Sequence, residues 1–231
     1  MWTARIFTLY PELFPGPFNY GLYKKALEKN IWSLEICNIR DGATDKHKTV
    51  DDTPFGGGSG MLIKPEVLAN SLNKYEKQDE KIIYLSPKGT KFTQEMAKSF
   101  LKEKTTNIIC GHFEGVDQRV LETRNIEEIS IGDFVLSGGE TAAYVFIDVI
   151  VRLLPGVLGN DQSTLEESFE NNLLEYPQYT KPQQWESKCV PDVLLSGDHA
   201  KIKDWRLSQS EAITRRRRPD LWEKYKNKNT R

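Results

Sequence analysis

The chain has 231 residues, a formal net charge of -1 and 38% hydrophobic residues. This composition supplies enough apolar surface for a buried core and excludes a uniformly basic nucleic-acid coat. The length fits one large domain, or one domain with a small appendage. No apolar run reaches the ~18 residues that a membrane span requires, and the first residues lack the pattern of a signal peptide. The 3 cysteines lie far apart and form no CxxC pair, which favours a cytoplasmic protein without disulfides or a zinc site.

Up to Pro155 the sequence alternates strand-like and helix-like segments. Strands are predicted over 4–9, 33–39, 81–85 and 106–110, and helices over 20–28, 93–102 and 139–153. Strands that alternate with helices predict an α/β layer fold with a parallel sheet.

Glycines cluster in the middle of the chain, in loops that follow predicted strands. The three loops that stand out are 84–89, 111–117 and 131–140. Ligands of open α/β sheets bind beyond the carboxyl ends of the strands, and glycine lets the backbone approach them closely. The chain has no GxxxxGK[ST] and no GxGxxG after its first strand, which disfavours P-loop and Rossmann-type proteins. We therefore expect a binding site of another type at these loops.

The charge is distributed unevenly along the chain. Residues 198–231 carry 11 basic and 5 acidic side chains, including the run 215–218 of four arginines. The aromatic residues Trp205, Trp222 and Tyr225 lie among them. Guanidinium groups bind phosphates and aromatic rings stack on unpaired bases, so the segment favours a polyanionic partner such as RNA over an ordinary solvated face.

Several long motifs, in order along the whole chain, resemble those of bacterial tRNA (guanine-N1)-methyltransferases of the knotted SPOUT superfamily. They are the three loops above together with 49–61, 152–159, 173–180 and 191–199. The resemblance implies a SPOUT-type α/β fold with a deep C-terminal trefoil knot in the catalytic domain, followed by a small helical domain. It implies a methyltransferase domain over 1–159, a linker over 160–188 and a tRNA-binding domain over 189–231. It also implies a homodimer whose active sites are shared between subunits.

The activity implied by the resemblance is transfer of a methyl group from S-adenosyl-L-methionine to N1 of guanine 37 in tRNA, just 3′ of the anticodon. The matching motifs place the cofactor among Tyr84, Leu85, Ser86, Pro87, Gly111, Phe113, Gly115, Ser130, Ile131, Gly132, Asp133, Phe134, Val135, Leu136, Gly138 and Gly139. Phe113 and Phe134 stand where the family often has tyrosine, His112 stands where arginine is common, and Ala142 stands where proline occurs.

Three catalytic residues follow from the same motifs. Glu167 stands where the family commonly has the aspartate that acts as the base, with Glu166 as the alternative. Arg152 matches the arginine that stabilises negative charge on guanine O6. Glu114 matches an acid that supports the cofactor site and has been linked to Mg²⁺.

Residues expected to meet the tRNA are scattered along the chain. They are Asp51, Gly57, Gly58, Ser163, Ser168, His199, Arg215 and Arg216. Ser163, Ser168 and His199 are equally well explained as cap or turn residues. Two other functions remain open at this point: another knotted RNA methyltransferase acting on ribose 2′-OH or on rRNA, and an RNA-binding protein that holds the cofactor without turnover.

Overall fold

The computed structural model describes residues 1–77, 79–158 and 167–229. The chain divides into two compact units, 1–159 and 160–231.

The N-terminal unit is built on a parallel sheet. In chain order it contains strands β1 (Trp2–Thr8), β2 (Trp32–Asn38), β3 (Asp51–Asp52), β4 (Leu62–Ile63), β5 (Lys81–Lys91), β6 (Thr105–Cys110) and β7 (Glu127–Ser130). Its helices are α1 (Gly21–Glu28), α2 (Pro65–Tyr75), α3 (Gln94–Phe100), α4 (Gln118–Thr123) and α5 (Gly139–Val151). Five strands pair in the order β2-β1-β6-β5-β7, every pair parallel. The predicted α/β class with a parallel sheet is confirmed.

Helices cover both faces of this sheet. On one face Ile6 and Ile108 pack against the apolar side of α5, which includes Phe146. On the other face Phe7 packs with α2 and α4. Every residue of β1 is therefore buried, as expected of a central strand in a parallel sheet. The buried apolar residues of α5 recur at the helical spacing and make one continuous stripe: Gly139, Ala142, Ala143, Phe146, Ile147, Ile150 and Val151.

One predicted loop is part of a strand. The sequence predicts that the segment 84–89 follows a strand, but β5 continues to Lys91 across an irregularity between Leu85 and Thr90. Pairing with β7 resumes at Thr90, and the backbone of Gly89 lies so close to Glu128 that a Cβ would not fit. The predicted loop is thus a bulge inside β5. Helices α2 and α4 and strand β7 were not predicted, since each is shorter or less regular in its apolar pattern than α5.

The C-terminal unit is mostly helical. It contains a hairpin of β8 (Gln184–Trp185) and β9 (Lys188–Cys189), then α6 (Asp192–Leu195), α7 (His199–Arg217) and α8 (Pro219–Asn229). Asp198 caps α7 by accepting hydrogen bonds from the amides of Ala200 and Lys201. No helix in the described ranges combines the length and the apolar character that crossing a membrane requires. The threading of a trefoil knot and the functional roles of the two units stay predictions.

Candidate functional site

A cavity of about 240 Å³ opens beyond the carboxyl ends of β6 and β7, against the bulge of β5. Its wall is formed by Tyr84, Leu85, Ser86, Pro87, Lys88, Gly111, His112, Phe113, Glu114, Gly115, Ile129, Ser130, Ile131, Gly132, Phe134, Val135, Leu136, Ser137, Gly138, Gly139 and Ala142. Every residue expected to bind the cofactor lies in this wall except Asp133. That side chain is 92% exposed and points its carboxylate to Lys91 at 3.8 Å, because it lies at the outer tip of its loop.

Glycines let two loops of the cavity meet backbone to backbone. The amide of Gly139 donates a hydrogen bond to the carbonyl of Gly111 at 2.9 Å. A Cβ on Gly139 would lie 2.7 Å from Cα of Cys110, and one on Gly111 would lie 2.6 Å from the hydroxyl of Tyr84. Distances this short exclude any side chain at both positions, so backbone amides and carbonyls form this part of the wall.

The loop after β6 is held in an unusual conformation. Phe113 has a φ of 59°, in the left-handed region that non-glycine residues rarely adopt, and Gly115 follows at 114°. Beneath this loop, burial and then the charge of Glu128 raise the pKa of Tyr84 to about 12, so its hydroxyl stays protonated at neutral pH. The wall thus offers a neutral hydroxyl, aromatic surface and backbone groups to a ligand.

The chain bends sharply after β7. The hydroxyl of Ser130 donates to the carbonyl of Gly132 at 3.0 Å and accepts from its amide at 3.2 Å. Beyond this turn, Phe134, Val135 and Leu136 present exposed apolar side chains at the cavity. Apolar walls of this kind suit the faces of a flat heterocycle, while backbone groups read its edge.

Some wall residues were not predicted as cofactor contacts. Lys88, Ile129 and Ser137 line the cavity, as do His112 and Ala142, which stand out in the sequence only as departures from the family pattern. Lys88, Ile129, Ser137 and His112 each adjoin predicted residues in the chain, and this adjacency is the signal that would have found them. Ala142 lies three residues after Gly139, about one helical turn along α5.

A glycine-rich hairpin lies next to the cavity. Asp51 in β3 pairs with Ile63 in β4, and Gly57 and Gly58 lie in the exposed loop between these strands. The amide of Ile63 donates to the carbonyl of Gly115 at 3.0 Å, and the amide of Glu114 donates to the carbonyl of Met61 at 3.0 Å. The loop expected to meet RNA is therefore tied directly to the loop that lines the cavity.

Arg152 lies at the opposite end of α5 from this cavity. It follows directly on Val151, about 20 Å along the helix axis from Gly139 at 1.5 Å per residue. Nearby, burial and a hydrogen bond to Asp148 raise the pKa of Tyr23 to about 12, and the charge of Arg152 opposes that rise. Arg152 is not part of the cavity wall of its own chain.

The C-terminal unit has a cavity of its own, of about 500 Å³. Its apolar lining includes Leu173, Ile202 and Leu207, and its polar lining includes Glu167, His199, Lys203 and Arg206. The expected base and one expected RNA contact therefore share one cavity, beside two cations.

The other expected RNA contacts are placed differently. The hydroxyl of Ser168 accepts a hydrogen bond from the amide of Glu175 at 3.0 Å, which is the bond of a turn residue. Arg215 and Arg216 lie exposed near the end of α7. Ser163 and the alternative base Glu166 lie outside the described residues.

The residues that the structure describes provide no set of ligands for Mg²⁺. No group of three or more His, Cys, Asp or Glu residues there is arranged to hold a metal ion. Glu114 lines the cavity of the N-terminal unit.

A parallel α/β sheet whose glycine-rich loops border a cavity at the carboxyl ends of the strands is typical of the α/β proteins that bind a ligand there. The family model for tRNA (Guanine-1)-methyltransferase TrmD matches residues 1–224. The chain belongs to this family.

Two curated relatives extend over nearly the whole chain. A protein of Pelagibacter ubique (strain HTCC1062) named tRNA (guanine-N(1)-)-methyltransferase is 71% identical over 226 residues, covering 98% of this chain and 99% of its own. A protein of the same name from Brucella canis (strain ATCC 23365 / NCTC 10854 / RM-666) is 53% identical over 222 residues, covering 96% of this chain and 91% of its own.

Proposed function

We propose that this chain transfers a methyl group from S-adenosyl-L-methionine to N1 of guanine 37 in tRNA. The observation that carries the proposal is the glycine-lined cavity, whose wall contains the motifs that the chain shares with its family. The names of the two relatives support the same reaction. Neither name favours methylation of a ribose or of rRNA.

The cavity fits the nucleoside part of this donor. Gly111 and Gly139 leave backbone groups free of side chains, while Phe134 and Leu136 supply apolar surface for the faces of adenine. When bound, S-adenosyl-L-methionine supplies a methyl group that its sulfonium already activates. The main task of the wall is therefore to orient the donor and keep water from it.

The acceptor needs help, because N1 of neutral guanine carries a proton and is a poor nucleophile. In our proposal the carboxylate of Glu167 takes this proton while N1 forms its bond to the methyl carbon and the bond from sulfur to that carbon breaks. The guanidinium of Arg152 stabilises the negative charge that develops on O6. Lys203 and Arg206, in the cavity that contains Glu167, supply positive charge for the RNA backbone.

The reaction requires two copies of the chain in this proposal. Arg152 lies about 20 Å along α5 from the glycine that contacts the donor, too far to act at its own cavity. In a homodimer, Arg152 of each chain can instead act at the cavity of the partner subunit.

The deciding experiment compares two tRNA transcripts that differ only at position 37, with guanine in one and adenine in the other. Purified protein and radiolabelled donor should methylate the guanine transcript alone, and digestion should place the label in 1-methylguanosine. Equal labelling of both transcripts, or label in a ribose, would refute the assignment. Donor binding without labelling of either transcript would favour a binding protein.

A further inference from the structure

Three polar side chains from separate elements meet behind the wall of the donor cavity. Thr8, at the end of β1, donates a hydrogen bond to Oε1 of Glu140 at 2.5 Å, and the amide of Tyr10 donates to Thr8 Oγ1 at 2.9 Å. Oε2 of Glu140 lies 2.6 Å from Nε2 of His112. Glu140 belongs to the first turn of α5 and His112 to the loop after β6, so these bonds tie sheet, helix and loop together.

Glu140 is a buried carboxylate with both oxygens engaged. Its side chain is 5% exposed, and it lies where the dipole of α5 favours a negative charge. A carboxylate is removed from water at this depth only if its hydrogen bonds are replaced, and Thr8 and His112 replace them. The reaction derived above makes no use of this carboxylate.

The imidazole of His112 is confined from several sides. Its ring meets that of Tyr10 edge to face with centroids 4.7 Å apart. A side chain at Gly138 would collide with the imidazole, so the glycine there makes room for it. Because Nε2 is engaged by Glu140, Nδ1 is the ring nitrogen that remains for a further partner.

We propose that Glu140 is a positioning residue of the donor cavity: it fixes the orientation and tautomer of His112, and His112 thereby holds the loop 111–115 in the cavity wall. This inference rests on the proposed function, since it takes S-adenosyl-L-methionine as the ligand of that wall. A guanidinium can also donate to a carboxylate, so an arginine at position 112 would keep a hydrogen bond to Glu140. The proposal therefore assigns the positioning role to the hydrogen bond between residue 112 and Glu140.

The test measures donor affinity by calorimetry. Glu140→Gln and His112→Phe should each weaken the Kd for S-adenosyl-L-methionine by about tenfold or more, as expected for loss of a charge-assisted hydrogen bond. The double variant should be little weaker than either single one, because both remove the same bond. His112→Arg should retain more affinity than His112→Phe. The matched control is Glu127→Gln, which removes a carboxylate 2.6 Å from Lys81 on the same sheet and should leave Kd unchanged.

A second readout does not depend on the donor. The chain has 3 histidines, so the ¹⁵N signals of the His112 ring can be assigned by substitution. They should show a proton on Nε2 in the native protein, and they should change in Glu140→Gln. Unchanged signals and unchanged Kd in a folded Glu140→Gln variant would overturn the inference.

The two proposals fail in different ways. If native protein binds no donor, the proposed function fails, and the ¹⁵N signals still decide whether Glu140 orients His112. If Glu140→Gln does not fold, the donor Kd of His112→Phe, a change at the cavity surface, tests the inference instead. A native Kd in His112→Phe would overturn the inference.

Discussion

Arg5, buried in the middle of β1, donates a hydrogen bond to Glu80 at 2.5 Å. The same guanidinium donates to Glu35 on β2 at 2.6 Å and to Asn107 on β6 at 2.9 Å. A charge placed inside a sheet costs free energy unless it is paired and hydrogen bonded, and these three partners meet that requirement. The cluster joins the middle of β1 to β2, to β6 and to the residue that precedes β5.

This cluster predicts an acid-sensitive contribution to stability. Burial acts to raise the pKa of Glu80, but hydrogen bonds from Lys77, Asn107 and Arg5 outweigh it and lower that pKa. The stabilisation is therefore present above the ordinary glutamate value of 4.5 and is lost as pH falls through the lowered pKa of the folded state. Glu80→Gln should cost about 2 kcal/mol of unfolding free energy at pH 7.

Urea denaturation of the native protein and of Glu80→Gln between pH 7 and pH 3 measures this contribution to the unfolding free energy. The difference between native protein and variant should shrink at the acid end. Glu35→Gln is the control, because Glu35 is half exposed and its loss should cost less. A difference between native protein and Glu80→Gln that does not vary with pH would contradict the prediction.

The close approach of Gly139 and Gly111 predicts the effect of one added methyl group. In Gly139→Ala the new Cβ would lie 2.7 Å from Cα of Cys110, and neither backbone can move without shifting β6 or α5. We expect a loss of about 1–3 kcal/mol in unfolding free energy and a weaker Kd for S-adenosyl-L-methionine. Thr141→Ala, on the exposed side of the same helix, should change neither quantity. Native donor affinity in Gly139→Ala would mean that the close approach of the loops does not shape the cavity.

The two catalytic assignments predict a separation of turnover from donor binding. Glu167→Gln and Arg152→Ala should each reduce kcat by about 100-fold or more, as expected when a general base or a charge-stabilising group is removed. Neither residue lies in the wall of the donor cavity, so calorimetry should give a donor Kd close to that of native protein. Near-native turnover in both variants would refute their roles.

The proposed sharing of the active site between subunits predicts that two defective chains complement each other. Arg152→Ala and Gly139→Ala should each be poorly active alone. After mixing and subunit exchange, half of the dimers are mixed and one of their two sites combines an intact cavity with an intact Arg152. Random pairing then restores about a quarter of the native activity. No recovery in a mixture that sedimentation shows to have exchanged would refute the sharing.

The arginines at the end of α7 predict how tRNA binding responds to salt. Replacing Arg215 and Arg216 with glutamine should weaken tRNA binding, and the slope of log K against log salt should flatten by about one unit for each phosphate that is no longer neutralised. Filter binding at several salt concentrations measures this slope. Lys24→Gln, which removes an exposed cation from α1, is the control. An unchanged slope would make the two arginines an ordinary solvated surface.

Much of the fold was predictable because its signals are local. The helical spacing of apolar residues placed α5 to within a few residues. The predicted helix 93–102 begins at Thr93, which caps α3 by accepting a hydrogen bond from the amide of Met96. The bulge of β5 was not predictable, because it depends on pairing with β7, a strand with no clear pattern of its own.

The sequence by itself determined the parallel α/β class and, through family motifs, most of the residues that line the cavity. Tertiary structure alone decided which buried charges are paired, and it placed Arg152 away from the cavity of its own chain. His112 and Glu140 are separated by 28 residues, and Arg5 and Glu80 by 75. Only the packing of strands and helices brings such groups within hydrogen-bonding distance, because a local pattern fixes the direction of a side chain and not its distant partner. The same packing separates Arg152 from the cavity, since both are fixed to opposite ends of one rigid helix.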